Sequence, residues 1–199
     1  MSPRPRSGGA GRVIAGSARG RQLGAPGEGT RPLGDRLKEA LFAILEPEIR
    51  DRAFLDLFAG SGAAGIEALS RGAARAVFVE RDAAAVTSIK ANLDATGLAD
   101  RAEVVRADVL SWLAGSGGGA GPFAAALVDP PYDSATLLEG AIDVIAHAGP
   151  GAILAMDGVV VAKHFGKTAV SPQFGLLRSV RERRFGETNL TFLRWVEDR

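Results

Sequence analysis

The stretch FLDLFAGSGAAGIEALSRG, residues 54–72, sets the reading of the chain. Its first five residues form an apolar run interrupted only by Asp56, short enough for a strand, and its last ten carry helix formers up to a closing glycine. Between them stands AGSG, too rich in glycine to continue either element. A strand that passes through a tight turn directly into a helix is the opening unit of a parallel sheet, because the helix is the crossover that returns the chain for the next strand.

The same unit repeats downstream. AVFVE (76–80) leads into AAAVTSIKANLDATG, EVVRAD (103–108) into VLSWLA, and FAAALVD (123–129) follows. Residues 135–147 read as a helix and VVVAKHF (159–165) as a fifth strand. The pattern then changes: LLRSVRERR and NLTFLRWV flank FGET closely enough to pair as an antiparallel hairpin at the sheet edge. The expectation is an α/β domain with a mostly parallel seven-stranded sheet. GSGGGAG (115–121) resembles a phosphate loop only in composition; it precedes a strand, and a flexible linker is expected there.

Upstream, residues 1–11 offer nothing to bury and are expected to be disordered. RVIAGSARGRQLGAP (12–26) reads as two short strands around a turn, and Leu37, Leu41, Phe42 and Leu45 fall on one face of a helix that should end before Pro47. Residues 1–50 are thus expected to form a small hairpin and helix extension on a main domain of residues 51–199.

The 199 residues are 46% hydrophobic and 24% charged, which suits one globular domain with an appendage. No apolar run approaches the roughly 20 residues a membrane span needs. The opening MSPRPRSGGAG lacks the apolar core of a signal peptide, and the expectation is a cytoplasmic monomer that engages no membrane. With no cysteine and no histidine or acid cluster at ligand spacing, no metal site is expected, and His147 and His164 read as structural. The formal net charge of +1 conceals a division. Residues 1–38 hold eight cations and two acids, residues 39–177 ten and seventeen, and residues 178–199 six and four. A basic arm on an acidic body suggests a polyanionic partner for the arm and a different ligand for the body.

Ligands of open α/β sheets bind beyond the carboxyl ends of the strands. Asp56, Glu80, Asp108 and Asp129 fall near the ends of the first four expected strands, so each brings an acid to one rim. Gly60, Ser61, Gly62 and the residues up to Gly65 match GxGxxG, with Glu80 placed for a ribose, and a nicotinamide dinucleotide has to be considered. Against it stands Asp56, whose charge would face the pyrophosphate. S-adenosylmethionine (SAM), with a sulfonium and an ammonium and no phosphate, fits that charge better. Glu80 could then accept from the ribose hydroxyls, and Asp108 could take the adenine amine beside the Val109 backbone.

LVDPPYDS, 127–134, adds the chemistry. Two consecutive prolines stiffen the backbone and leave the Pro130 carbonyl without a local donor. An amino group has two hydrogens to give, one to an Asp129 oxygen and one to that carbonyl, which aims its lone pair outward. Tyr132 would stack on the base that carries it, and stacking worth roughly 1–3 kcal/mol per base largely offsets extruding that base.

In this order, LDLFAGSGAAGIEALSRGA, the Glu80 strand end, Asn92, Asp108 and DPPY resemble the Rossmann-like class I SAM-dependent amino-methyltransferases. RVIAGSARGRQL followed by RPLGDRLKEALFAIL is more specific and resembles the RsmD-type 16S rRNA (guanine-N2)-methyltransferases, from about Arg12 to FGETNLTFLRW. The resemblance implies a catalytic set of Asp129, Pro130, Pro131 and Tyr132, and a SAM site of Asp56, Phe58, Gly60, Ser61, Gly62, Glu80, Arg81, Asp108, Val109 and Asp129. It implies 16S rRNA as partner, in the small subunit or an assembly intermediate, held by Arg12, Arg19, Arg21, Arg31, Arg36 and Lys38, with residues 1–50 also expected to form a lid over the cofactor through Arg31 and Arg36. DPPY alone is shared with DNA adenine methyltransferases, which remain an alternative, as does an RNA-binding module without catalysis. Two positions depart from the family pattern: Leu33 stands where threonine is usual, and Lys163 where glutamate usually precedes His164.

Overall fold

The computed structural model describes residues 9–25, 33–131, 134–168 and 170–196. β1 (Gly9–Arg12) and β2 (Gln22–Gly24) pair antiparallel, and α1 (Asp35–Ile49) follows. Residues 9–11, expected to be unstructured, thus belong to the hairpin. From there strand and helix alternate: β3 (Ala53–Leu57), α2 (Ala63–Ser70), β4 (Arg75–Glu80), α3 (Ala83–Thr96), β5 (Ala102–Arg106), α4 (Val109–Trp112) and β6 (Phe123–Val128). α5 (Ala135–Ala148), β7 (Leu154–Phe165), β8 (Gln173–Phe174), β9 (Leu177–Phe185) and β10 (Thr188–Trp195) complete the chain.

The sheet runs β5-β4-β3-β6-β7-β10-β9-β8, parallel from β5 to β7 and antiparallel beyond. This is the expected seven-stranded arrangement with the two-residue β8 added at one edge. β3 and β6 are buried along their whole length because helices cover both faces, which is why they read as continuous apolar runs. Successive strands progress one way from β3 and the other way from β6. The carboxyl ends of this pair therefore form the switch point, where an open α/β sheet leaves a crevice.

Three local expectations are corrected. α1 does not stop before Pro47 but runs through it to Ile49. Proline forfeits only the bond to Ala43 there, both residues lie on the exposed side, and the helix ends two residues later, so the loss is small. The glycine-rich stretch is not a linker: a π-helical turn (Leu113–Gly117) and a short helix (Gly118–Ala120) extend α4, with Gly117 buried. Asp108 does not end a strand but caps α4, its Oδ1 accepting from the Ser111 N–H at 3.0 Å. Among the described residues no helix is long and apolar enough to cross a membrane.

The extension is welded to the sheet. Val13 and Leu23 share one buried cluster with Leu41 and Phe42 of α1 and Ile66 and Leu69 of α2. Beneath them Glu67, with no exposed surface, accepts from the Ile14 and Ala15 amides at 2.8 and 3.0 Å and from Arg71 Nε at 2.7 Å. Asn92 of α3 clasps Gly24 through both ends of its amide. Glu67→Gln keeps one acceptor oxygen and turns an NH2 toward groups that can only donate, so it is expected to cost about 2 kcal/mol, read as a lower urea midpoint.

Candidate active site

The chain leaves β3 through backbone that few residues tolerate: Phe58 has φ +60° and Gly62 φ +76°. A non-glycine in the left-handed region costs roughly 1–3 kcal/mol and marks a segment held in place by its surroundings. Here the holders are side chains. Asp56 Oδ2 accepts from the Gly65 N–H at 2.8 Å, Glu80 Oε2 from the Gly60 N–H at 2.9 Å, and Asn92 Nδ2 donates to the Ser61 carbonyl at 2.9 Å. Gly65 lets α2 press onto β4, since a Cβ there would stand 2.2 Å from the Phe78 ring.

This loop forms one wall of a cleft of about 1050 Å³ at the switch point, and the segment after β6 forms another. Of the residues put forward for the cofactor, Asp56, Phe58, Gly60, Ser61, Glu80, Arg81, Asp108, Val109 and Asp129 all line it, as do Pro130 and Pro131. Gly62 does not, and caps α2 facing Ile89 and Phe78 instead. Tyr132 and Arg31 lie outside the described residues. Among the described lining residues are six carboxylates, Asp56, Glu80, Asp82, Asp108, Asp129 and Glu187, and two cations, Arg81 and Lys163. That balance suits a cationic ligand and opposes a pyrophosphate.

The acids are not equivalent. Asp108 is exposed, and the Ser111 amide that it caps holds its carboxyl below the usual range. Asp56 is 2% exposed, and burial pushes its pKa up to about 8, against the pull of the Gly65 N–H and with a further push from Asp129. It is therefore largely neutral at neutral pH in the ligand-free cleft, which corrects the expectation that a charged Asp56 repels a pyrophosphate; the excess of acids over cations in the rest of the lining still opposes one. The folded value lies above the ordinary carboxylate value, so its contribution to stability is complete below about pH 4 and is lost as pH rises toward 8. Relative to wild type, Asp56→Asn is expected to gain about 1–2 kcal/mol between about pH 6 and pH 8 in urea titrations of the ligand-free protein.

Asp129 follows β6 directly, and its N–H donates to the Leu57 carbonyl across the switch point. Its Oδ1 lies 2.6 Å from Lys163 Nζ on β7, and no described residue donates to Oδ2. Burial raises the Asp129 pKa and Lys163 opposes the rise. Pro130 is buried beside it, and the Pro131 carbonyl is occupied by the Ser134 N–H at 3.0 Å. No described donor reaches the Pro130 carbonyl.

Lys163 is the site residue that the sequence reading passed over. It departs from the family pattern, and that was the available signal. Leu33, the other departure, is 7% exposed and gives the cleft an apolar wall. Of the proposed RNA contacts, Arg12, Arg19, Arg21 and Arg36 are exposed. Lys38 is not: it has no exposed surface, its ammonium donates to the Arg12 carbonyl, and it leaves the set of phosphate contacts. His164 is structural, with Nε2 2.9 Å from Thr191 Oγ1.

Three comparisons bear on this arrangement. The family model described as conserved hypothetical protein 95 matches residues 11–194. The Bacillus subtilis protein YlbH, provisionally named an rRNA methyltransferase, is 36% identical over 180 residues, which cover 90% of this chain and 96% of that one. Ribosomal RNA small subunit methyltransferase D of Escherichia coli is 45% identical over 139 residues, 69% of this chain and 68% of that one. Among solved structures, a Thermus thermophilus protein of 33% identity superposes with a TM-score of 0.78, over 93% of this chain and 99% of its own.

Proposed function

The chain belongs to the conserved hypothetical protein 95 family of RsmD-type methyltransferases, and on that premise we propose that it methylates the exocyclic N2 of one guanine in 16S rRNA. The observation that carries this reading is the pairing of an acid-lined cleft with Asp129 and the Pro130 carbonyl at one switch point. When bound, SAM supplies an electrophilic methyl on a sulfonium and is left as the neutral thioether S-adenosylhomocysteine once the S–CH3 bond breaks, and Asp56, Phe58, Gly60, Ser61, Glu80, Arg81, Asp108 and Val109 would hold it. Asp129 Oδ2 and the Pro130 carbonyl accept the two amine hydrogens and orient the lone pair. Once alkylated, the nitrogen becomes acidic and passes a proton to Asp129 or to water, so no stronger base is needed. Positioning supplies much of the rate. Residues 1–50 serve as the RNA-binding extension, with Arg12, Arg19, Arg21, Arg31 and Arg36 on phosphates, and the substrate is the small subunit or its assembly intermediate, engaged by a monomer.

The test is transfer of a labelled methyl group from SAM to small subunits, and to free 16S rRNA, from a strain lacking this enzyme, followed by nucleoside mass spectrometry. N2-methylguanosine at one site is expected. Label on duplex DNA adenine instead, or a thermal shift with NAD and none with SAM, would refute the reading.

A further inference from the structure

β9 reads LRSVRERRF, and every residue from Arg178 to Arg184 is exposed. β8 pairs with Leu177 and Arg178, and the Ser179 N–H donates to the Pro172 carbonyl, so residues 180–185 form the free edge of the sheet. Directly opposed residues of an antiparallel pair share a face. Arg183 stands opposite Leu190 and Arg181 opposite Phe192, both in the cluster beneath α1. Strict alternation would then turn Arg178 to the other face. A register shift between Phe192 and Leu193 prevents this and places Arg178 opposite Arg194, whose guanidinium bonds Glu48 of α1. Three arginines therefore line one face over roughly 17 Å. Arg184, opposite Asn189, lies on the other face.

The stripe leads to the active site. The turn after β9 brings Glu187 and Thr188 into the cleft wall, and Lys163 lies opposite Leu190 on the same face as the stripe. The basic hairpin packs on that face too, through Val13 and Leu23. No ion pair among the described residues engages Arg178, Arg181 or Arg183, although residues 39–177 carry seventeen acids. Charge on an edge strand also guards against aggregation. A guard can use either sign on either face, whereas here the face that meets the cleft carries cations only.

We propose that Arg178, Arg181 and Arg183 form a second RNA-binding surface, which holds the substrate strand on the far side of the active site from the hairpin. This rests on the RNA methyltransferase reading above. The test uses the full chain with 16S rRNA and with poly(U) across a salt series, comparing wild type, the triple variant Arg178→Ala/Arg181→Ala/Arg183→Ala, and the single variants Arg183→Ala and Arg184→Ala. With about 0.7 counterions released per single-strand phosphate, the triple variant should flatten the log–log salt dependence by about 2 and raise the KM for rRNA about tenfold or more. Its kcat and SAM affinity should not change, and Arg184→Ala should bind as wild type does. An unchanged slope and KM in the triple variant, or an Arg184→Ala defect equal to that of Arg183→Ala, overturns the proposal. If wild type binds both RNAs through the stripe yet methylates neither 16S rRNA nor small subunits from a strain lacking this enzyme, the methyltransferase reading falls and the RNA surface stands. Failure to bind either RNA refutes both.

Discussion

Asp129→Ala is expected to slow methyl transfer to rRNA by about a hundredfold or more, with SAM affinity within a few-fold of wild type. Two losses combine. The target amine loses one of its two acceptors, so its lone pair is no longer aimed. The ammonium of Lys163, 2.6 Å from Asp129 Oδ1 in the wild type, loses this contact, and it lines the cleft as a donor where the amine needs an acceptor. Asp129→Asn keeps one oxygen and should fall between, at about tenfold. Single-turnover rates at saturating rRNA, beside SAM titrations, separate chemistry from binding. A rate for the alanine variant within a few-fold of wild type would remove Asp129 from the chemistry.

The parts of this site that are local in sequence are those that reading the sequence recovered. A strand, a glycine turn and a helix occupy adjacent residues, so the loop over residues 58–62 and the acids at Asp56 and Glu80 follow from pattern alone. Asp129, Pro130 and Pro131 are likewise adjacent in sequence and line the cleft. The fasteners are different, because their meaning depends on partners far along the chain. Glu67 looks like a solvent-facing helix residue until Ile14 and Ala15 pack onto it from more than fifty positions away. Lys38 looks like one more cation of a basic arm, yet its place beneath the hairpin turns it inward onto the Arg12 carbonyl. Arg178 joins the face of Arg181 and Arg183 only through a register shift, which strand alternation cannot anticipate. Asp108 illustrates a smaller error of the same kind: a strand end and a helix cap both favour aspartate, and only the backbone decides between them.

Lys163→Met is expected to move the acid limb of the kcat–pH profile upward, so that on the acid side the variant falls to about a tenth of wild-type activity while approaching it at high pH. Burial already raises the Asp129 pKa, and Lys163 is the group that opposes the rise. The other described ionisable groups of the cleft, Asp56, Glu80, Asp82, Asp108 and Glu187, are carboxyl groups, and Arg81 is exposed, so none of them replaces the lost ammonium. Without it, Asp129 takes up a proton at a higher pH, and a protonated carboxyl presents a hydrogen where the amine needs a lone pair. Lys163→Arg keeps the charge and should restore the wild-type profile, which a purely structural role of the lysine would not require. A uniform loss across all pH values in Lys163→Met, unrelieved by arginine, would show that Lys163 supports packing of β7 and does not set the charge of Asp129.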